Sequence, residues 1–252
     1  MAPLLSLTEV TKRHAEGRRA IVVLDRVSLW IGHGDFVDVW GPKRSGKSTL
    51  LRVMAGMEQL DSGDVSFDGR SLKQMSARER ARLLRAGGIA LVSSDWRVHI
   101  VRPVVDLVAT ACASDGTPMR EARTRARRAL TRVEAVDCAD VSTDRLTLGE
   151  RLRVSLAIAL VREPRLLLVD EPAVLPSPIE SDDLYRLLRS LGNDPDLAVV
   201  IASENTESLT GTQRSMAVSS GEVRSMDREG VVVPLRSDTS ATRSPRAGDA
   251  LS

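Results

Sequence analysis

Gly41-Pro42-Lys43-Arg44-Ser45-Gly46-Lys47-Ser48-Thr49 sets two glycines, with four residues between them, directly ahead of Lys-Ser. A loop of this pattern curls its backbone N–H groups around a polyphosphate at the positive end of the helix that follows. Lys47 would reach the terminal phosphates and the Ser48 hydroxyl would ligate magnesium. Both flanks suit that chemistry. The apolar run Phe36-Val37-Asp38-Val39-Trp40 reads as the strand before the loop, and Leu50, Leu51, Val53 and Met54 follow at helical spacing. A chance glycine turn would need neither flank. A second cluster is Leu166-Leu167-Leu168-Val169-Asp170-Glu171-Pro172, an apolar strand ending in two acids. Ligands of parallel sheets bind at the carboxyl ends of the strands. There Asp170 would hold magnesium through water and Glu171 would polarise an attacking water. Alone, an Asp-Glu pair more often caps a helix; after a phosphate loop in the same chain it reads as the other half of one site.

The elements that must position these residues follow from periodicity and punctuation. Residues 4–10, 20–31 and 36–40 read as short strands, separated by Gly17 and by Gly32-His33-Gly34. The loop's helix ends near Gly56. Asp68-Gly69 reads as a hairpin turn. Ser76 with Glu79 forms a capping box at the start of a charged helix that Gly87-Gly88 ends, before a short buried strand at 89–92. From about 96 to 148 no strand signal is convincing, and 118–135 reads as a helix. On it Arg120, Arg123 and Arg127 form one outer stripe, and Arg125, Arg128 and Arg132 another: a solvated face by default, or a contact for a partner or anionic headgroups. A buried helix is expected at 152–161, central parallel strands at 166–169 and 198–202, and a helix at 182–191 between them. The last strands are expected near 215–218 and 231–233. Beyond Leu235 the Ser, Thr, Arg, Pro and Gly composition predicts disorder.

The whole chain, 252 residues, is enough for one substantial core or for a core carrying one inserted subdomain. A net charge of +2 and an aromatic content of 2% argue against a dedicated nucleic-acid binder, which would need a basic surface or stacking platforms. Cys112 and Cys138 lack a CxxC partner or a histidine cluster, so two buried, reduced thiols are expected rather than a disulfide or a metal site. The amino terminus lacks the features of a secretory leader. No apolar run approaches the ~18 residues that span a bilayer, so any membrane role is expected to come through partners.

With these features in place, the chain from about 4 to 223 resembles the ATP-binding subunit of ABC transporters. The resemblance rests on the phosphate loop, on Leu166 through Pro172, and on Leu146-Thr147-Leu148-Gly149-Glu150-Arg151 with the helix that follows. In the family this last segment reads LSGGQ or LSGGE, then QR and an Ala-rich helix. Glu150 and the run GKSTLLRVMAG look most like cassettes of the lipoprotein-release and macrolide-export kind.

The resemblance implies an α/β fold of the P-loop NTPase (ABC ATPase) class. Its parts would be a RecA-like parallel-sheet core, an N-terminal antiparallel β subdomain and a helical subdomain inserted at about 96–148, in a single domain spanning 1–235. It also implies the site. Residues Gly41, Pro42, Lys43, Arg44, Ser45, Gly46, Lys47, Ser48 and Thr49 would cradle ATP. His14 would stack on adenine, and Thr147 with Gly149 would meet the γ-phosphate held by an opposite subunit. Ser48, Asp170 and Ser94 would surround Mg2+, and Glu171 would be the catalytic acid. The partners implied are a second ABC ATPase subunit, in a homodimer or heterodimer, and separate transmembrane permease subunits, with no nucleic acid. The location implied is the cytoplasmic face of a membrane.

Several stations depart from the family pattern. Leu148 occupies the first signature glycine, where a branched side chain crowds a phosphate or turns the loop away. Ser94 stands for the metal-watching glutamine, Ser177 for the usual aspartate, and Ser203, followed by Glu204, for the switch histidine. Serine is shorter than these groups and cannot carry imidazole's charge. His14 replaces the stacking aromatic, and Arg44 sits where many relatives have glycine. Loss of one positioning group typically raises a barrier by ~2–4 kcal/mol, so ATP binding with slow turnover is expected. Two functions follow: an energy-coupling transporter subunit, or a non-transport ATP switch that gates a complex. A P-loop kinase would leave the helix after residue 146 without a purpose.

Overall fold

The computed structural model of the chain describes residues 2–17, 19–93, 100–113, 116–170, 178–204, 212–226 and 232–233. The expected disorder beyond Leu235 and the stations at Ser94, Glu171 and Ser177 lie outside the described residues. The chain opens with a long hairpin, β1 (Leu5–Glu16) antiparallel to β2 (Arg19–Ile31). The first strand therefore runs well past the expected 4–10. Its register shifts between Leu7 and Val10, between Val10 and Lys12, and between Lys12 and Arg13. Glu9 and Arg26 take positive φ of 49° and 46° in this stretch. Such bulges break the two-residue alternation by which a strand is recognised. β4 (Ser62–Phe67) pairs with the other edge of β1, and β5 (Arg70–Ser71) completes a sheet ordered β2-β1-β4-β5. The turn between β4 and β5 is Asp68-Gly69, at φ 52° and 72°, the left-handed pair that a two-residue hairpin of twisted strands requires.

The other sheet carries the functional residues. It consists of β3 (Phe36–Trp40), β6 (Ile89–Ser93), β7 (Leu166–Asp170), β8 (Ala198–Ser203), β9 (Arg214–Ser219), β10 (Glu222–Met226) and β11 (Val232–Val233). Their order is β11-β10-β9-β3-β8-β7-β6, with parallel pairing from β9 through to β6 and antiparallel pairing at β10 and β11. Residues 166–169 of β7 and all of β8 are buried, as strands covered on both faces must be. β10 is not foreseen from the sequence. Glu, Arg and Ser alternate through it, and the Ser220-Gly221 turn, at φ 51° and 85°, is its one signal.

Helix α1 (Lys47–Met54) lies between the two sheets. Leu50, Leu51, Val53 and Met54 pack with Val37, Val39, Leu168 and Val200 on one side and Leu5, Val10, Leu24 and Val65 on the other. A helix of 8 residues is too short to persist in water alone. Burial of four apolar side chains, each contributing roughly 1.5–3 kcal/mol, holds it in place. The opposite face of the parallel sheet is covered by α3 (Val104–Ala113), α4 (Met119–Arg132), α5 (Leu148–Leu160) and α6 (Pro178–Leu191), which share one core with Val92, Leu167, Val169, Val199 and Ile201. α2 (Ala77–Arg85) starts at the expected capping box: Glu79 N donates to Ser76 Oγ at 3.2 Å and Ser76 N to Glu79 Oε2 at 2.8 Å.

Four of the six arginines in the stripes of α4 are matched by this chain's own carboxylates. Arg123 bonds Asp106 at 2.7 Å, Arg125 bonds Glu121 at 2.7 Å, Arg127 bonds Asp140 at 2.9 Å, and Arg132 bonds Asp194 at 2.5 Å. The groups are solvated, so each pair contributes ~0–1 kcal/mol and serves orientation more than stability. Cys112 and Cys138 are buried and unbridged. Among the described residues, no helix is long and apolar enough to cross a membrane.

Candidate functional site

The loop at 41–46 joins β3 to α1 at the carboxyl ends of the parallel strands. Its two glycines are there for lack of space. A Cβ on Gly41 would lie 2.3 Å from the Val218 carbonyl oxygen and 2.7 Å from Ser45 Oγ. At Gly46, which caps α1 at φ 107°, it would lie 2.9 Å from the Val23 carbonyl oxygen. Arg44 also sits in the left-handed region, at φ 64°. A side chain in this conformation costs about 1 kcal/mol.

Lys47 is 2% exposed, and its ammonium donates to the carbonyls of Gly41 at 2.8 Å and Pro42 at 3.0 Å. The side chain thus folds back over the loop that it closes. Ser48 Oγ donates to Asp170 Oδ1 at 2.9 Å, joining the first turn of α1 to the end of β7 across 122 positions of sequence. The loop and the acidic strand end, expected to converge, are therefore in direct contact. Ser45 Oγ is buried and finds no hydrogen-bond partner among the described residues. The residues fit Mg2+ with a triphosphate. A hydroxyl and a carboxylate at one point are hard oxygen donors, and Mg2+ takes few protein ligands, leaving the rest to phosphate and water. An orphaned loop hydroxyl beside a buried ammonium suits an anion.

Ser203 ends β8 beside the loop, aligned with Trp40 of β3. Its carbonyl accepts from Gly41 N at 3.3 Å, and its hydroxyl donates to Asp38 Oδ1 at 3.1 Å. Asp38 is 2% exposed in the middle of β3, and burial pushes its carboxyl up to about 7 against the opposing hydrogen bond from Ser203. Sequence reasoning missed Asp38 as a functional candidate; the signal was an acid inside an otherwise apolar strand. Glu204, next in the chain, lies 3.9 Å from the ammonium of Lys43, so the loop supplies a cation that offsets its charge.

The remaining predicted stations lie elsewhere. Thr147 caps α5. Its hydroxyl accepts from Glu150 N at 3.3 Å, its N–H donates to Glu150 Oε2 at 2.7 Å, and its hydroxyl stands 2.9 Å from that same oxygen. These bonds hold the Glu150 carboxyl below its usual range, the one from the Thr147 backbone most strongly. α5 therefore starts at Leu148, four residues before the expected 152. Leu148 is 39% exposed at its tip, and a Cβ on Gly149 would meet nothing within 4 Å. Cys138 donates to Glu150 Oε1 at 3.3 Å and is pushed up to about 11, by burial first and then by Glu150. Among the described residues no hydrogen bond links Thr147 or Gly149 to the phosphate loop. His14 projects from β1, with Nε2 3.6 Å from Glu58 Oε1, an oxygen that Lys12 approaches at 3.1 Å. Ser93, next to Ser94, pairs in register with Asp170.

This arrangement has counterparts in known proteins. A family model described as ABC transporter matches residues 24–174. The macrolide export ATP-binding/permease protein MacB of Burkholderia cenocepacia (strain HI2424) is 32% identical over 264 residues, covering 98% of this chain and 38% of its own. The methionine import ATP-binding protein MetN 2 of Rhodococcus jostii (strain RHA1) is 30% identical over 218 residues, covering 86% of this chain and 64% of its own. The chain thus spans about two fifths of the first relative and just under two thirds of the second. Among solved structures, the dimeric bacterial ABC transporter cassette MJ0796 superposes with a TM-score of 0.78 at 25% identity, covering 87% of this chain and 96% of the other. Its post-hydrolysis state bound to ADP and Pi gives a TM-score of 0.80 at 24% identity, covering 92% and 99%. From the phosphate loop, the Ser48–Asp170 contact and these matches together, the chain belongs to the ABC transporter family, as an ATP-binding cassette of the ATPase type.

Proposed function

We propose that this cassette is the energy-coupling subunit of a membrane transporter, closing with a second cassette on Mg·ATP and hydrolysing it slowly. The observation that carries the binding half is the Ser48–Asp170 hydrogen bond at 2.9 Å, next to the buried Lys47 ammonium. Lys47, Ser45 and the loop N–H groups hold the phosphates. Ser48 and Asp170 hold the magnesium, with Ser94 beside it, and Glu171 polarises water. Magnesium, when bound, supplies charge neutralisation at the phosphate oxygens. Slow turnover is supported by two side chains: the Ser203 hydroxyl is engaged by Asp38, and Leu148 occupies the tip of α5 where a second nucleotide would approach.

The names of MacB, an export ATP-binding/permease protein, and MetN 2, an import ATP-binding protein, support the transporter setting; a permease partner would hold the cassette at the cytoplasmic face of a membrane. A groove of about 440 Å³ beside the edge strand β6, lined by Met57, Leu91, Ser155, Ile158 and Arg162, offers such a partner an apolar seat. Nucleotide affinity and turnover of the purified protein test the reading. Lys47→Ala should abolish binding, and Leu148→Gly combined with Ser203→His should raise turnover at least tenfold. Ordinary family turnover in the unmodified chain would overturn the slow-cassette assignment. A second reading, an ATP-gated switch without transport, is favoured by the same engaged Ser203. Pull-down with Glu171→Gln separates the two: membrane subunits support coupling, and soluble regulators alone support the gate.

A further inference from the structure

Asp38 stands out among the described residues because its surroundings should not hold a carboxyl. It is 2% exposed in the central strand of the parallel sheet, flanked in the chain by the buried Val37 and Val39. Its one hydrogen bond among the described residues comes from a hydroxyl, that of Ser203. Ser203 in turn accepts, through its carbonyl, the N–H of Gly41, the first residue of the phosphate loop. A chain of two hydrogen bonds thus runs from the floor of the sheet to the loop.

We propose that Asp38 is a positioning residue of the nucleotide site that binds its proton more tightly while a triphosphate occupies the phosphate loop, and loosens it again on release. The proposal rests on the nucleotide-site reading given above. A buried acid without a cation partner is held in balance between its charged and neutral forms, and here burial places that balance at about 7. Negative charge arriving at the loop tips it toward the neutral form. One net charge roughly 10 Å away, at an effective dielectric of ~20, strengthens proton binding by about tenfold. Neutral Asp38 can itself donate to Ser203 Oγ, so the pair keeps its hydrogen bond in both states. The proton comes from solvent and stays between Asp38 and Ser203 while nucleotide is bound.

The groups around the pair leave Asp38 as the responsive one. On β9 its register partner is Ser215, and the neighbouring Arg214 is tied to the Trp30 carbonyl and lies 3.8 Å from Asp35. Past the end of β8, Glu204 lies 3.9 Å from Lys43. On α1, the Lys47 ammonium bonds two loop carbonyls. From α6, Tyr185 is the titratable group packed against the same layer of core. Among the described residues, burial and the Ser203 hydroxyl set the balance at Asp38 between them.

The test is the affinity for Mg·ATP, with magnesium saturating, from pH 6 to 8.5, together with calorimetry in two buffers of different ionisation heat. The unmodified chain should take up a fraction of a proton near pH 7.5 and lose about tenfold in affinity across the range. Asp38→Asn, which keeps the shape and the acceptor, should lose both the uptake and that part of the slope. Ser203→Ala, which deletes the hydroxyl that favours the anion, should move the midpoint upward, and it keeps the test open should Asp38→Asn not fold. Identical slopes and uptake in the unmodified chain and Asp38→Asn, or an unmoved midpoint in Ser203→Ala, would overturn the proposal while leaving the nucleotide site standing. Absence of Mg·ATP binding, or indifference to Lys47→Ala, would overturn the site reading and the proposal with it.

Discussion

Replacing Asp38 by Asn should stabilise the nucleotide-free chain, and by an amount that grows with pH. Asp38 is 2% exposed, and its carboxyl is pushed from the ordinary 3.8 up to about 7. The folded state therefore binds this proton more tightly than the unfolded chain does. Below about pH 3.8 both states are protonated, and the group adds no pH-dependent penalty. As pH rises from there to about 7 the unfolded chain releases its proton first, so folding loses stability over that window. Above it the penalty is complete. At 1.36 kcal/mol per pKa unit the full span amounts to about 4 kcal/mol, and at pH 5 less than half of it is present. Asn keeps the acceptor for Ser203 and has no proton to lose. The advantage of Asp38→Asn should thus widen by about 2–3 kcal/mol between pH 5 and pH 8.5, a large share of a typical folding free energy. Urea unfolding of both proteins at pH 5, 7 and 8.5 measures it. A difference that stays constant across those three conditions would falsify the reasoning, because it would mean that Asp38 does not titrate in this window.

Three further outcomes are expected. Ser48→Ala or Asp170→Asn should weaken Mg·ATP binding by tenfold or more while leaving magnesium-free nucleotide nearly unaffected; equal losses in both would detach this pair from the metal. Thr147→Ala should cost about 1 kcal/mol in thermal unfolding through loss of the cap on α5 while leaving single-chain nucleotide affinity unchanged. A fall in that affinity would place Thr147 at the chain's own site instead. Arg44→Gly should stabilise the fold by about 1 kcal/mol by relieving the φ of 64°, and destabilisation on a melting curve would show that the arginine contributes something else there.

What could be read from the sequence was whatever is written locally. The phosphate loop was legible because its glycines are demanded by backbone atoms a few ångströms away, and β7 and β8 because strands covered on both faces are apolar throughout. The Ser76–Glu79 capping box was read correctly. The equivalent box at Thr147–Glu150 is harder to see, because Leu148-Gly149 resembles a turn more than the first turn of a helix. The far half of β1 was hidden by bulges, and β10 by its polar residues Glu222, Arg224 and Ser225. Asp38 was hidden for a different reason. Its meaning depends on a hydroxyl 165 positions further along the chain, which no local pattern reports. The arginines of α4 likewise could not announce partners as distant as Asp140 and Asp194.

The strand order has a bearing on how the chain comes off the ribosome. β3 is made early, yet both of its neighbours, β8 and β9, are made after residue 197. The middle of the sheet thus stays open until β8 has been made, leaving β3 and β7 apart with apolar faces uncovered. A nascent chain that has only just emerged past Asp170 owns both halves of the magnesium site but not the strand that sets them side by side. Nucleotide capture should therefore switch on abruptly once β8 has emerged, and a truncated product lacking β8 should go to chaperones and proteases rather than compete for ATP.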